Sequence, residues 1–303
     1  MAAIGNTPLI KLERIVEPGW ADVYVKYEGA NPTGSMKDRM ALSMVEGAEK
    51  RGQLKPGGRV MDYTGGSTGS SLAMVCATKG YKAYFVSSDA FATEKLQTMR
   101  AFGAELEIFP SGDGKITAKL IDSMIERARE LSTEPSTFWT DQFNNVDNRS
   151  AYHQMAMEII KALGNGIDEF IMGVGTGGSF SGNAEVLKKE IPNIHCIAIE
   201  PYHVRALSGG DVSGKHKLEG IGSGFVPAIC RLDLADEIMA VKDEDAYETA
   251  RKLATMEGIF GGTTSGANVW AAMQRAKTIG PGKKIVTIIV DSGLKYLNGD
   301  LYK

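Results

Sequence analysis

Lys37 stands just after the turn-forming Asn31-Pro32-Thr33-Gly34 and at the head of what reads as a helix, in "NPTGSMKDRM". A lysine amine held at such a junction can serve as a nucleophile or a base, although most lysines in that setting are solvated charges. Two glycine loops accompany it. The stretch "GVGTGGSFSG", Gly173 to Gly182, follows the strand-like "DEFIM" and opens the helical "SGNAEVLKKE", so its backbone N–H groups can converge on an anion at a helix N-terminus. The stretch "TGGSTG", Thr64 to Gly69, also joins a strand to a helix and adds the hydroxyls of Thr64, Ser67 and Thr68. It suits a carboxylate, or else Ser67 or Thr68 simply caps the helix.

An anion cradle, a carboxylate cradle and a lysine are what an amino acid joined to pyridoxal phosphate requires. The lysine amine condenses with the cofactor, one cradle holds its phosphate, and the ring is an electron sink for charge at the amino acid's Cα. A competing reading exists. Gly173, Gly175 and Gly178 satisfy G-x-G-x-x-G, and Glu200 ends the next strand-like run, "CIAIEP", where an acid binding a ribose would sit in an NAD-dependent oxidoreductase. That reading leaves Lys37 and "TGGSTG" without a task.

The elements that must position these residues follow βαβ grammar from about residue 58. "RVMDY", "KAYFVSS", "AELEIFP" and "TFWTDQF" read as strands separated by helical runs, including one through "KITAKLIDSMIERAREL"; after "YHQMAMEIIKALG" the pattern resumes with "DEFIMGV", "HCIAIEP" and "KKIVTIIVDSG". Gly80, Gly103 and Gly164 each follow an apolar-periodic run, where a helix ends without need of a Cβ. Two α/β halves with parallel sheets are expected within 303 residues, and an open sheet brings strand C-terminal ends to one crevice. The formal charge of −3 leaves no basic footprint for nucleic acid. Cys76, Cys196 and Cys230 are too dispersed for a metal knuckle or a disulfide framework, which favours reduced thiols and a cytoplasmic setting. No signal segment or apolar run of membrane-spanning length is visible.

Taken in order, "IGNTPLIKL", "NPTGSMKDR", "GVGTGGSFSG" and "EGIGSGFVP" make the whole chain resemble the cysteine synthase and cystathionine β-synthase group of fold type II pyridoxal-phosphate enzymes. The resemblance implies two three-layer αβα domains of the tryptophan synthase β type: a smaller, mobile substrate-binding domain over 31–141, and a larger cofactor-phosphate domain from 1–30 and 142–303. It implies pyridoxal 5'-phosphate on Lys37, with Gly175, Thr176, Gly177, Gly178 and Ser179 at its phosphate. Ser67 would face the ring oxygen and Thr264 the ring nitrogen, with Asp291 as the rival for the latter contact. Thr64, Gly65, Gly66, Thr68 and Gln142 would take the amino-acid substrate. A homodimer is implied, with no metal. The chain looks like a bare catalytic core, with three residues before "IGNTPL", no haem-binding cysteine-histidine site and no regulatory domain.

The activity this resemblance implies is β-replacement on an O-activated serine, foremost O-acetyl-L-serine plus sulfide giving L-cysteine and acetate. Cystathionine or diaminopropionate synthesis and cysteine desulfhydration are the alternatives. They stay open because Ser67 and Gly65 stand where the family has asparagine and serine. These smaller residues imply a roomier pocket that admits nucleophiles bulkier than sulfide. "AYHQMAMEI" also departs from the family's threonine-glycine-proline version, and its His153 reads as an ordinary imidazole.

Overall fold

The computed structural model describes residues 1–112 and 117–303, so Lys115 and Ile116, at the head of one expected helical run, lie outside the described residues. The chain opens with β1 (Leu9–Lys11) and β2 (Asp22–Tyr27), then α1 (Lys37–Lys50). A βα alternation follows: β3 (Arg59–Tyr63), α2 (Ser67–Lys79), β4 (Lys82–Ser88), α3 (Thr93–Ala101), β5 (Glu105–Phe109), α4 (Ala118–Leu131) and β6 (Thr137–Trp139). Helices α5 (Val146–Ser150) and α6 (His153–Leu163) lead to β7 (Glu169–Gly173), α7 (Gly178–Glu190), β8 (His195–Pro201) and β9 (Glu237–Val241). Then come α8 (Asp243–Lys252), α9 (Thr263–Ile279) and β10 (Lys284–Ile289), followed by a short 3-10 helix over Gly293–Tyr296. Gly80, Gly103 and Gly164 follow α2, α3 and α6 with φ of +77°, +86° and +67°, backbone that strains a residue with a Cβ.

The described chain divides into two compact units, Met1–Ile4 with Lys37–Asn148, and Gly5–Met36 with Arg149–Lys303. The first contains a four-stranded sheet in the order β5-β4-β3-β6, with every pairing parallel. Chain order runs outward from β3 through β4 to β5, and β6 then returns to the far side of β3. The loops after β3 and β6 therefore flank a topological switch point, where an open parallel sheet leaves a crevice at its strand ends. Met61, Val86, Met124 and Ala128 are fully buried in the cluster that packs this sheet on α4.

The second unit holds a six-stranded sheet, β1-β2-β10-β7-β8-β9, parallel except for the β1–β2 pair. Here β7, β8 and β9 run in one direction and β10 pairs on the other side of β7, which puts the switch point after β7. All five residues of β7 are buried, as a strand covered on both faces requires. The core includes Val23, Val25, Ile171, Ile197, Ile199 and Ile285. Among the described residues no helix is long and apolar enough to cross a membrane, and no group of His, Cys, Asp or Glu is placed to hold a metal.

Candidate active site

In the first unit, Lys37 is the opening residue of α1 and is half-buried. Helix α1 packs on α2, whose first residue is Ser67. The hydroxyl loop Thr64–Thr68 leaves β3 at the switch point, and Gln142 comes from the segment after β6. The Thr68 hydroxyl donates to Gln142 Oε1 at 3.0 Å, joining the two loops that flank the crevice, and both residues are buried. The Asn148 amide donates to the Gln142 carbonyl at 2.7 Å. Neither Ser67 nor Thr68 caps α2: Gly66 is the N-cap residue and supplies no side chain, so the capping alternative gives way to a loop whose Thr68 is turned to Gln142.

Beneath this loop Asp62 is fully buried, accepting from Thr140 Oγ1 at 2.5 Å, Trp139 Nε1 at 3.0 Å and the Tyr63 N–H at 2.9 Å. Burial pushes its carboxyl up to about 7, even though the three donors and their partial charges favour the ionised form. Asp62 thus ties β3 to Trp139 at the end of β6 and to Thr140, two residues before Gln142. The same burial raises the neighbouring Tyr63 hydroxyl. Sequence reading passed over Asp62 because a carboxylate in "RVMDY" looks like an ordinary strand-end charge.

The room expected beside Gly65 is filled. A Cβ on Gly65 would fall 2.0 Å from Cγ of Phe91 and 2.1 Å from both of its Cδ atoms, so an aromatic ring stands where a side chain would be. Gly66 differs, with open space where its Cβ would lie. Thr64 is buried, and its hydroxyl accepts from the Gly66 N–H at 3.3 Å.

In the second unit, the loop Val174–Gly177 leaves β7 and delivers the chain into α7, with Gly177 as its left-handed N-cap at φ +85°. This is a cradle that side chains would fill. A Cβ on Gly175 would lie 2.1 Å from the Gly220 carbonyl oxygen, and one on Gly177 would lie 2.5 Å from Cys230 Cβ. Gly178 begins the helix, and Thr176 and Ser179 are buried. The Ser179 hydroxyl is buried without a hydrogen-bond partner, an orphan that costs about 1–3 kcal/mol unless a ligand satisfies it. Successive N–H groups at a helix N-terminus plus an unsatisfied hydroxyl form a seat for a phosphate, and the pyridoxal cofactor fits it.

Thr264, second residue of α9, lies on the same side of this unit. Its Cγ2 would be 3.3 Å from a Cβ on Gly173, at the end of β7. Its hydroxyl donates to the Glu219 carbonyl at 2.7 Å, so a ring nitrogen placed there competes with that carbonyl for one proton. The rival, Asp291, is buried and accepts from Tyr296 Oη at 2.7 Å. His153 pairs with Glu185 at 2.9 Å on a half-exposed helix face, in keeping with an ordinary imidazole. Glu200 is buried, and its carboxylate accepts from the Leu207 N–H at 2.7 Å and Ser208 Oγ at 2.5 Å. It is spent on its own loop rather than presented to a ribose. Cys76, Cys196 and Cys230 are free thiols, and burial pushes Cys76 and Cys196 up to about 12.

Comparison with known proteins bears on both units. The family of pyridoxal-phosphate dependent enzymes matches residues 1–291. A cysteine synthase of Staphylococcus aureus is 43% identical over 302 residues, covering 99% of this chain and 95% of its own length. A hydrogen sulfide-producing enzyme from Fusobacterium nucleatum superposes with a TM-score of 0.91 at 42% identity, covering 98% of this chain and 96% of that one. An O-acetylserine dependent cystathionine beta-synthase from Helicobacter pylori superposes with a TM-score of 0.91 at 35% identity, covering 100% of this chain and 97% of that one.

Proposed function

Since the chain belongs to the family of pyridoxal-phosphate dependent enzymes, we propose that it carries out β-replacement on O-acetyl-L-serine, using sulfide to give L-cysteine and acetate. The observation that carries this reading is the glycine cradle at the start of α7 with the partnerless Ser179 hydroxyl inside it. Residues 175–179 hold the cofactor phosphate through backbone N–H groups and Ser179 Oγ, and Lys37 holds the cofactor through its amine. Bound there, the ring withdraws electrons from the amino acid's Cα. Thr68, Gln142 and the N–H groups of the 64–68 loop hold the substrate carboxylate. Lys37 Nζ would take the proton from Cα, and acetate would leave from Cβ with its bonding pair. Sulfide then adds at Cβ, and Lys37 returns the proton to Cα. With the cofactor bound, Ser67 Oγ would serve its ring oxygen and Thr264 Oγ1 its ring nitrogen. A neutral hydroxyl holds that nitrogen less firmly protonated than a carboxylate would, which suits chemistry at Cβ over transamination.

In this reading the smaller unit takes the amino acid and the larger holds the phosphate. The enzyme works as a homodimer in a reducing cytoplasm, where its three free thiols persist. Sedimentation of the purified protein checks the dimer.

A second form of the reading, release of sulfide from cysteine, is favoured by the sulfide-producing relative, whose identity to this chain is nearly that of the cysteine synthase. One experiment separates the possibilities. The purified protein is coloured by its cofactor, and cysteine formation from O-acetyl-L-serine and sulfide is compared with sulfide release from cysteine. Borohydride fixes the cofactor covalently to the wild type and not to Lys37→Ala. A variant that still gains the reduced cofactor bond refutes the assignment of Lys37, and a colourless protein refutes the whole reading.

A further inference from the structure

The hydroxyl loop has two adjacent glycines in different surroundings. Gly66 has φ −132°, extended backbone that any residue adopts, and open space where its Cβ would lie. Gly65 is likewise absent from the positive-φ glycines, so its backbone does not demand glycine. Its neighbour does. Three carbons at the base of the Phe91 ring lie 2.0 to 2.1 Å from where its Cβ would be. The nearest of them, Cγ, is set by the Phe91 backbone and first torsion, so it yields less than the tip of a long side chain.

Phe91 is itself held from two sides. It sits in the turn between β4 and α3, where its N–H donates to the Ser88 carbonyl at 3.2 Å and the Ala90 N–H donates to Ser88 Oγ at 3.2 Å. Asp89 in that turn accepts from the Ser111 N–H at 2.8 Å. The ring packs on the cluster containing Met61, Val86 and Met124, yet Phe91 is only half-buried, so part of it faces outward beside the loop.

We infer that Phe91 is a specificity-determining residue of the substrate loop. Its ring takes the seat of a residue-65 side chain, turns that stretch of wall from hydrogen-bonding to apolar, and narrows the space beside the substrate's Cβ. The inference rests on the reading that the 64–68 loop receives the amino acid. It also reverses the expectation attached to Gly65: the glycine does not widen the pocket but makes place for the ring. The carboxylate then depends on Thr68, Gln142 and backbone N–H groups, with no hydroxyl from residue 65.

Two measurements test this. The first needs neither cofactor nor turnover: melting temperatures of the cofactor-free Gly65→Ala, Phe91→Leu, Phe91→Ala and the two corresponding double variants. Gly65→Ala should lower the melting temperature when Phe91 is present and cost little in the Phe91→Ala background. Phe91→Leu keeps an apolar side chain should Phe91→Ala fail to fold, and should also reduce the cost of Gly65→Ala. Fully additive losses would overturn the shared seat. The second compares binding of O-acetyl-L-serine and O-acetyl-L-threonine to the holoenzyme, read from the cofactor's absorbance. The added methyl at Cβ should be rejected by about tenfold or more in the wild type, the range for one misplaced methyl group, and the ratio should shrink in Phe91→Leu and Phe91→Ala. A normal spectral response with an unchanged ratio overturns the role of Phe91 alone. No response to either amino acid in the wild type overturns the substrate reading and this inference with it.

Discussion

Gly177→Ala tests the phosphate cradle at its tightest point. Gly177 has φ +85°, which costs a residue with a Cβ about 1–2 kcal/mol. The new Cβ would also meet Cys230 Cβ at 2.5 Å and Cys230 Cα at 2.8 Å. The second of these is backbone and cannot rotate away, so the loop or the Cys230 segment must move, at an overpacking cost of about 1–3 kcal/mol. Together the substitution should destabilise by about 2–5 kcal/mol. Gly258→Ala supplies the reference within the same unit: φ is +68° and nothing lies within 4 Å of its Cβ position, so only the backbone strain of about 1–2 kcal/mol remains. Urea unfolding of both cofactor-free variants gives the difference. Titration with pyridoxal phosphate, followed by cofactor absorbance, shows whether displacement of the loop reaches the ligand. Gly177→Ala should weaken binding about tenfold or more, the equivalent of 1.4 kcal/mol, while Gly258→Ala leaves it unchanged. Equal destabilisation of the two variants with equal cofactor affinity would refute the cradle.

Two further outcomes follow from buried polar groups. Ser179→Ala removes a hydroxyl that has no partner in the protein, so the cofactor-free form should lose no stability while cofactor affinity falls about fivefold to tenfold, the worth of one hydrogen bond; a stability loss with unchanged affinity would place the serine in the scaffold instead. Asp62 has a folded-state carboxyl at about 7, above its ordinary 3.8, so between those values the folded protein binds more protons than the unfolded chain. Its contribution to stability is therefore present at low pH and lost as pH rises from about 4 to about 7, by up to about 4 kcal/mol. Asp62→Asn should flatten that part of the unfolding free-energy profile, and an identical slope in the variant would show that Asp62 does not titrate there.

Much of the architecture was legible because its signals are local. Alternating β-branched and helical runs after residue 58 mark β3 through β8 and β10, and glycines at 80, 103 and 164 mark the ends of α2, α3 and α6. The strands β1 and β2 were not anticipated, since β1 has three residues and β2 finds its parallel partner, β10, across most of the chain. The glycine loops could be read as anion cradles from their strand-to-helix setting alone. What could not be read was long-range occupancy. Nothing in "TGGSTG" announces that Phe91, more than twenty residues later, fills the space at Gly65, or that Asp62 receives donors from Thr140 and Trp139. Such contacts depend on how loops return over the sheet, which no window of sequence contains.

The contest between a dinucleotide and a pyridoxal phosphate on the same G-x-G-x-x-G loop shows how position decides between like motifs. Either ligand places a phosphate at the N-terminus of α7, and the glycines serve either by letting backbone approach closely. A dinucleotide further needs an acid at the end of the next strand with free oxygens for a ribose. Glu200 occupies that place, but both its oxygens accept from Leu207 and Ser208, and the side chain is buried. Freeing it would leave the Leu207 N–H and the Ser208 hydroxyl without their acceptor, at about 1–3 kcal/mol for each group that stays buried. At the cradle itself the Gly220 carbonyl and Cys230 close in on Gly175 and Gly177, and Ser179 offers a hydroxyl without a partner, which a phosphate of either ligand could use. The loop motif is therefore common to two chemistries, and the fate of Glu200 selects between them.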